Sequence, residues 1–189
     1  MKNKDYLFTS KRLGFRQWTA KDRKVLEVMN ADKEVMKHFP KTLTKEENKA
    51  LFERLKHHFS QRQYTYFATE ILATQECIGF IGLAYQDYPT AFTPAVDIGW
   101  RLKKSAWGKG YATEGAQKCL AYGFEYIGLD EIIATCTVDN TKSEKVMKKI
   151  GMKKIGVFRH PNLSDFPKHE ECLAYHIQKA EWKTQKTSI

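Results

Sequence analysis

The chain has 189 residues, of which 42% are hydrophobic and 13% aromatic, so it can bury the core of one domain but is too short for several. Its formal net charge of +10 is compatible with nucleic acid, with a polyanionic cofactor or with a plain solvated surface. No apolar run approaches the roughly 18 residues that a membrane helix needs, and residues 1–12 lack the apolar segment of a secretory signal. We therefore expect one domain over residues 1–189, with its core at about 10–180, in the cytoplasm and with no membrane partner.

The basic residues are dispersed along the chain, and no RNP signature, zinc finger or basic heptad accompanies them. Nucleic acid is therefore the less favoured partner. The cysteines are scattered too, with no C-x-x-C pair, which argues against a zinc site and a disulfide framework and suits a reducing compartment. They are Cys77, Cys119, Cys136 and Cys172, and we expect them to be small core residues, with no metal bound.

The first predicted elements are a strand at residues 11–17 and a helix after it. Thr19, with Asp22 three residues later, has the pattern of a helix cap. The helix continues to about Asn30. Its positions expected to face inward are Val25, Val28 and Met29.

A second helix and two strands follow. Thr44 precedes acidic residues that favour the first turn of a helix, which continues to about Gln61. Strands are predicted at residues 64–72 and 77–85. Two glycines in the latter indicate a β-bulge or a close approach of another backbone, Gly79 and Gly82.

The central part predicts a strand, a glycine loop and a helix. Residues 95–102 alternate strictly, which places Asp97 and Arg101 on one face and the apolar residues on the other. Residues 107–113 form a loop with two glycines, and residues 116–127 carry apolar side chains at helical spacing. Because the first N–H groups of a helix are unpaired and its dipole is positive there, this loop is suited to bind a phosphate.

Two other phosphate loops fit this segment poorly. A dinucleotide fold requires G-x-G-x-x-G, whereas Thr113 stands at the third glycine. A P-loop requires G-K-[ST], whereas the chain reads Gly108-Lys109-Gly110. The alternative to a phosphate site is a helix whose start is rich in glycine but binds no ligand.

Three further strands are predicted in the C-terminal part, at residues 131–138, 152–158 and 169–177. A short helix at residues 140–150, ended by Gly151, lies between the first two of them. Residues 159–168 contain two prolines and predict a loop. The lysine-containing tail beyond residue 177 is expected to fray.

Two motifs in this chain resemble those of the GNAT N-acetyltransferases. The first reads AVDIGWRL and then WGKGYATEG, and the second runs from Asn140 through Ser143 and Met147 to Gly151 and Met152. Both resemble the RimJ/RimL branch, as do LGFRQW near the start and MKHFPKTLTKEE, so the resemblance covers roughly residues 10 to 180. It implies a mixed α/β fold with one central, mostly antiparallel sheet of about six or seven strands, a splayed parallel pair in that sheet, and about four flanking helices.

The resemblance also implies acetyl-CoA as co-substrate, without a metal. The N–H groups around the two glycines would hold its diphosphate, and the backbone at the end of the strand at residues 95–102 would align pantetheine and face the thioester oxygen. A contact of that kind typically lowers a barrier by about 3 kcal/mol. The residues that the resemblance assigns to the coenzyme are Trp100, Arg101, Leu102, Trp107, Gly108, Lys109, Gly110, Tyr111, Ala112, Thr113, Asn140 and Ser143.

By the same resemblance, Asp97, Asn140 and Ser143 are the catalytic candidates. The tyrosine that often protonates the thiolate in this superfamily is replaced here by Met147, whereas the RimJ/RimL branch has a serine, here Ser143. Asn140 would bind pantetheine or an ordered water. Asp97, where the branch usually has Glu, would accept the proton that the acceptor ammonium must lose before attack.

Each of these roles has an alternative. Ser143 and Asn140 also stand where the first turn and the cap of a helix are expected, and Asp97 could pair with Arg101 on the same strand face. His160 is a second candidate base, because the ordinary pKa of histidine is about 6.5. Orientation of the reactants alone can also supply much of the rate, with no dedicated base.

We expect acetyl transfer to a primary amine by direct attack in a ternary complex, because no sequence feature requires a covalent enzyme intermediate. The RimJ/RimL branch includes enzymes for protein N-termini, polyamines and aminoglycosides, so a peptide N-terminus and a small amine are both candidate acceptors. A basic protein should repel polyamines and aminoglycosides unless its pocket is locally acidic. Residues that could make it acidic are Asp87, Asp97, Asp165, Glu170 and Glu171.

The alternative function is a non-catalytic acyl-CoA-binding protein, or an RNA- or ribosome-associated protein, on the same scaffold. The joint presence of Asn140, Ser143 and Asp97 favours the enzyme. A homodimer is compatible with either function.

Overall fold

The computed structural model describes residues 6–187 of the chain. Outside this range lie residues 1–5 and residues 188–189. The former belong to the segment in which no secretory signal is expected, and the latter to the expected tail. No helix within the described range is long and apolar enough to cross a membrane.

The strands form one mostly antiparallel sheet. They are β1 (Phe8–Thr9), β2 (Leu13–Arg16), β3 (Tyr66–Ile71), β4 (Cys77–Gln86), β5 (Ala95–Leu102), β6 (Glu131–Thr137), β7 (Lys153–Arg159) and β8 (Glu171–Gln178). Their order across the sheet is β1-β2-β3-β4-β5-β6-β8-β7. The mixed α/β fold is confirmed, with eight strands in the described residues. The added strand, β1, spans two residues, which is too short to show alternation.

Helices cover both faces of this sheet. The α-helices are α1 (Arg23–Ala31), α2 (Lys33–Met36), α3 (Lys45–Arg62), α4 (Tyr111–Ala121), α5 (Thr141–Lys149), α6 (Pro167–Glu170) and α7 (Lys179–Thr187). About four were expected. Two of the additional helices, α2 and α6, have four residues each, which is one turn and too short for an apolar period.

One pair of neighbouring strands, β5 and β6, is parallel, and among the described residues all other neighbours are antiparallel. The register of β5 and β6 joins them at a single position, Asp97 opposite Ile133. Beyond it the two strands separate towards their C-terminal ends. The expected splayed pair is therefore present, and it opens the sheet in the middle.

Helix α4 packs on one face of the sheet, as its apolar spacing predicts. Cys119 and Phe124 are fully buried against β4 and β6 residues such as Ile132. The helix changes at Tyr122–Ile127 into a π-helical turn, which Gly128 ends with a φ of 84°. The prediction of one regular helix to residue 127 is therefore wrong in its last turn, although the buried face is preserved.

The first helix is rotated relative to its prediction. Val28 was expected to face inward but is 54% exposed. Residues Ala20–Asp22 form a 3-10 turn, in which each residue advances by about 120°, before α1 begins at Arg23. Met29 is buried as expected, and Val25 is half-buried against the core. The buried residues of α1 are Leu26, Met29 and Asn30.

The C-terminal tail is helical and not frayed up to residue 187. Trp182 is 6% exposed, and its ring centroid lies 5.3 Å from that of Phe124. Gln185 Nε2 donates to the Gly151 carbonyl at 3.1 Å. These contacts join the tail to residues far away in the sequence, and its local composition does not reveal them. The prediction that the tail frays is therefore wrong.

Candidate active site

A cavity of about 820 Å³ opens where β5 and β6 separate. The glycine loop and α5 line it on two sides, and the connection between α2 and α3 closes a third with Phe39 and Pro40. The expected site residues that line this cavity are Asp97, Trp100, Arg101, Leu102, Trp107, Gly108, Gly110, Tyr111, Ala112, Thr113, Asn140 and Ser143. Lys109, the remaining expected residue, is exposed and is not among the lining residues.

The glycine loop, residues 107–113, presents unpaired main-chain N–H groups to the cavity. Gly108 and Gly110 have φ angles of 75° and 79°, a conformation that residues with a Cβ disfavour. The first N–H of α4 with an acceptor in the chain is that of Glu114, which donates to the Gly110 carbonyl at 3.0 Å. Within residues 6–187, the N–H groups of residues 111–113 have no such acceptor. The start of α4 is therefore free to bind a diphosphate.

Two cationic side chains that the sequence did not single out flank this loop. The Arg12 guanidinium lies 4.6 Å from the ring centroid of Tyr111, and Lys142 Nζ lies 4.7 Å from that of Trp107. Trp107 is itself fixed, because its Nε1 donates to the Leu102 carbonyl at 2.8 Å. Lys142 thus adds positive charge beside the free N–H groups, whereas the charge of Arg12 is paired with Glu114. Both pairs are too far apart in sequence for spacing to reveal them.

Glu114, the one acidic residue in the first turn of α4, is held by groups from the connection between β1 and β2. Its carboxylate accepts hydrogen bonds from Ser10 Oγ at 2.7 Å, from the Arg12 N–H at 2.7 Å and from Arg12 Nε at 2.6 Å. Burial opposes ionisation, but these hydrogen bonds outweigh it and lower the pKa of Glu114. Its negative charge is therefore neutralised locally beside the anion site.

The buried carboxylate of Asp97 also faces the cavity, from the other end of β5. Asp97 is 8% exposed, and its two oxygens accept from the Tyr66 hydroxyl at 2.7 and 2.9 Å. Burial raises the pKa of Asp97 to about 6, although the hydrogen bond from Tyr66 favours the ionised form. A carboxylate that titrates near neutral pH is suited to accept a proton and release it again.

One glycine, Gly99, makes room for the ring of the tyrosine that holds Asp97, and a second, Gly82, lets the backbone of β3 come close. Tyr66 lies opposite Gly82 on β4, and Gly82 lies opposite Gly99 on β5. A Cβ at Gly99 would lie 2.9 Å from the Tyr66 ring, and a Cβ at Gly82 would lie 2.1 Å from the Thr65 carbonyl oxygen. The predicted close approach at Gly82 is confirmed. Tyr66 itself was missed, because its contact with Asp97 depends on the register of β3, β4 and β5.

The alternative of an ion pair between Asp97 and Arg101 is wrong. Arg101 Nη1 donates to Asn30 Oδ1 at 2.8 Å, on α1, whereas Asp97 is bonded to Tyr66 on β3. The cavity is not acidic either. Its lining carboxylates are Glu34 and Asp97, and its lining cations are Lys37, Arg101, Lys142, Lys145 and Lys149.

Asn140 and Ser143 lie together at the start of α5. Asn140 Oδ1 accepts from the Ser143 N–H at 3.1 Å, so the cap-like alternative for Asn140 is confirmed. This bond uses the oxygen and leaves the amide nitrogen of Asn140 as a donor. Both residues line the cavity, as does Met147, which is 1% exposed and cannot donate a proton.

His160, the second candidate base, lies on the far wall of the cavity. Its Nδ1 accepts from the Asn162 N–H at 3.2 Å, and its ring centroid lies 4.4 Å from that of Tyr88. Burial lowers the pKa of His160, so the ring is neutral at neutral pH. The buried Tyr88 hydroxyl next to it has no hydrogen-bond partner within the described part of the chain.

The remaining sequence expectations concern metal sites and cysteines. No group of three or more His, Cys, Asp or Glu side chains in residues 6–187 is arranged to hold a metal ion. The four cysteines are free thiols, and three of them, Cys77, Cys119 and Cys172, are buried. Burial raises the pKa of Cys119 well above its usual range, as expected for a core residue.

A sheet that opens at one parallel strand pair, beside a helix start with free N–H groups, is the architecture of an acyl-coenzyme A transferase. The family model of the acetyltransferase (GNAT) domain matches residues 12–153, and the chain therefore belongs to the GNAT acetyltransferase family. It is an acyltransferase enzyme.

Several relatives are similar over nearly the whole chain. The uncharacterized N-acetyltransferase YnaD of Bacillus subtilis (strain 168) is 35% identical over 179 residues, which cover 92% of this chain and 98% of YnaD. The crystal structure of a GNAT-family acetyltransferase from Bacillus anthracis has a TM-score of 0.74 at 29% identity, over 91% of this chain and 98% of that one. Spermidine N-acetyltransferase from Vibrio cholerae, in complex with CoA and spermine, has a TM-score of 0.71 at 16% identity, over 91% and 98% of the two chains, and shares the fold.

Proposed function

We propose that this protein is an N-acetyltransferase of the RimJ/RimL type, which transfers acetyl from acetyl-CoA to a primary amine by direct attack in a ternary complex. The observation that carries the proposal is that one cavity contains both the free N–H groups of the glycine loop and the buried carboxylate of Asp97. The acceptor is a peptide N-terminus or a small amine.

Acetyl-CoA is a substrate here, and the residues present fit its parts. The N–H groups of residues 111–113, with Arg12 and Lys142 beside them, are suited to its diphosphate. Past Asp97 the backbone of β5 no longer pairs with β6, so its outward N–H and C=O groups can bond pantetheine as an added strand would. Acetyl-CoA supplies an activated thioester to this cleft.

Proton transfer then falls to residues at the inner end of the cleft. The amine nitrogen forms the new bond to the acetyl carbon, the bond from that carbon to sulfur breaks, and the nitrogen loses a proton. Asp97 is ionised above its pKa of about 6 and accepts that proton, directly or through water. Ser143, on the α5 side of the cavity, stabilises the leaving thiolate, and the amide of Asn140 orients pantetheine or a water.

The positive lining of the cavity bears on the acceptor. Arg101 and Lys142 line it together with three further lysines, against two carboxylates. A polycation such as a polyamine or an aminoglycoside is repelled by such a wall. Amines of low charge, peptide N-termini included, are the acceptors that this lining favours.

Binding measurements separate this proposal from an RNA-associated protein. A thermal shift with acetyl-CoA should raise the midpoint of unfolding by mass action, whereas an RNA oligomer should leave it unchanged. A panel of primary amines, read as release of free thiol from acetyl-CoA, should then show turnover. A shift with RNA alone would refute the enzyme proposal, and a shift with acetyl-CoA without turnover on any amine would favour a non-catalytic acyl-CoA-binding protein.

A further inference from the structure

Arg101 is a half-buried cation with no carboxylate partner among residues 6–187. Its guanidinium has one hydrogen bond, from Nη1 to Asn30 Oδ1 at 2.8 Å, and its Nε is buried with no partner in residues 6–187. No ion pair joins Arg101 to a carboxylate of the described residues within 4.0 Å. Because burying a charge is costly unless it is paired, this arrangement needs a compensating group.

A second half-buried arginine shows what a structural pairing looks like in the same fold. Arg16 donates to both oxygens of Asp22, at 2.7 and 2.8 Å, and it also pairs with Glu70. Both carboxylates are themselves buried, so the charge of Arg16 is balanced inside the protein. Arg101 has an amide and two aromatic rings instead. The Phe39 and Phe80 ring centroids lie 3.9 and 5.4 Å from its guanidinium carbon, which compensates the charge only in part.

The amide that holds Arg101 is fixed in turn. Asn30 is fully buried and its Nδ2 donates to Asn48 Oδ1 at 2.7 Å, while Asn48 Nδ2 donates to the Thr44 carbonyl at 2.8 Å. This chain of hydrogen bonds sets the orientation of the Asn30 amide, so that its oxygen faces Arg101. The guanidinium is therefore held in place before any ligand arrives, which is typical of a binding site.

Arg101 lies on the wall of the same cavity as Asp97 and the glycine loop. The two residues are on one face of β5 and four positions apart, which places their Cα atoms about 13 Å from each other. Burial lowers the pKa of Arg101 to about 10, so it stays charged at neutral pH. A small molecule whose amine reaches Asp97 can therefore carry an oxyanion to the guanidinium.

We propose that Arg101 binds a carboxylate of the acceptor, so that the preferred substrates are primary amines that also carry a carboxylate. This inference rests on the proposed acetyltransferase function. The planar fork of a guanidinium matches the two oxygens of a carboxylate. A phosphate of the coenzyme is the other oxyanion within the ligand set, and the test separates the two.

The test compares acceptors that differ in the anionic group alone. Pairs such as 4-aminobutyrate and 4-aminobutyramide keep the amine nearly unchanged, and other chain lengths extend the series. We expect kcat/KM, read as thiol release, to favour the acid by at least about tenfold, as a hydrogen bond to a charged group contributes. Arg101→Met should remove this preference and Arg101→Lys should retain part of it. Lys37→Gln, which removes an exposed cation from the same wall, should keep it.

A binding readout makes the inference independent of turnover and of the stability of the variants. In the wild-type protein loaded with CoA, N-acetyl-4-aminobutyrate should raise the unfolding midpoint and its carboxamide should not. Wild-type turnover with equal rates for acid and amide, or equal loss of preference in Lys37→Gln, would overturn the inference and leave the acetyltransferase intact. Weaker CoA binding by Arg101→Met with the acid preference unchanged would assign Arg101 to the coenzyme. Absence of turnover with every amine would refute the proposed function, and the binding comparison would still decide whether Arg101 holds a carboxylate.

Discussion

Replacing Tyr66 by phenylalanine tests whether Asp97 is the base. The change removes the hydroxyl that donates to both Asp97 oxygens and keeps the ring that stacks on Phe80 with centroids 5.2 Å apart. A hydrogen bond to a charged group contributes about 1.5–3 kcal/mol, and about 1.4 kcal/mol corresponds to one pKa unit. Since the bond favours the ionised form, its loss raises the pKa of Asp97 further.

The assay is the pH dependence of kcat/KM, whose acid limb reports the pKa of the essential base in the free enzyme. In the wild-type protein this limb should have its midpoint near the Asp97 pKa of about 6. In Tyr66→Phe it should move about one to two pH units in the alkaline direction. At pH 6.5 the ionised fraction, and with it kcat/KM, should therefore fall by about 3- to 25-fold, and above about pH 9 the two proteins should agree closely.

Tyr122→Phe is the matched control, because it removes a hydroxyl that donates to the Gln63 carbonyl at 2.9 Å outside the cavity. Its acid limb should coincide with that of the wild-type protein. An unchanged limb in Tyr66→Phe would remove Asp97 from the role of base. An equal loss of rate at every pH would indicate instead that Tyr66 only supports the shape of the site.

Four further changes have expected outcomes. Asp97→Asn should abolish most turnover and yet raise the free energy of unfolding at pH 8 by about 1–3 kcal/mol. Because burial raises the folded-state pKa of Asp97 to about 6, the wild-type protein has its full stability below the unfolded-state pKa and loses it as pH rises through the folded-state pKa. Calorimetry should therefore show little difference between the two proteins at pH 4. Ser143→Ala should lower kcat with little change in CoA affinity, and unaltered kcat would exclude it from the mechanism. Gly108→Ala should weaken CoA binding and lower the free energy of unfolding by about 1–2 kcal/mol. The cost comes from the backbone φ of 75° alone, because a Cβ at this position would meet no atom within 4 Å. Unchanged CoA affinity in a titration would contradict a role for the loop. Trp182→Ala should destabilise the fold by about 3 kcal/mol in denaturant unfolding, and a loss below about 0.5 kcal/mol would mean that α7 does not pack on the core.

Local pattern predicted those parts of the site that lie close together in sequence. The alternation of residues 95–102, the two glycines at Gly108 and Gly110, and the cap at Asn140 are visible as spacing, and the structure has each of them. The parallel pairing of β5 and β6 came from the family resemblance, because strand composition alone does not fix which strands are neighbours.

The contacts that decide the chemistry join residues that are far apart in sequence. Tyr66 and Asp97 are 31 positions apart, and Asn30 and Arg101 are 71 positions apart. Neither pair follows from periodicity, because each depends on sheet register and on the rotation of α1. That rotation, which also exposed Val28, places Asn30 inside, so the error in the helix phase and the missed partner of Arg101 have one physical cause.

The hydrogen bonds between Glu114 and the connection from β1 to β2 tie the glycine loop to the N-terminal part of the chain. Ser10 and Arg12 donate hydrogen bonds to Glu114 in the first turn of α4, more than 100 positions further along the chain. Trimming the amino terminus past this point, or fusing a bulky partner that pulls it away, would release an uncompensated negative charge at the mouth of the diphosphate site. Under the proposed function, we expect a protein cleaved between Ser10 and Arg12 to bind CoA more weakly, because the Glu114 carboxylate beside the proposed diphosphate site would lose these partners.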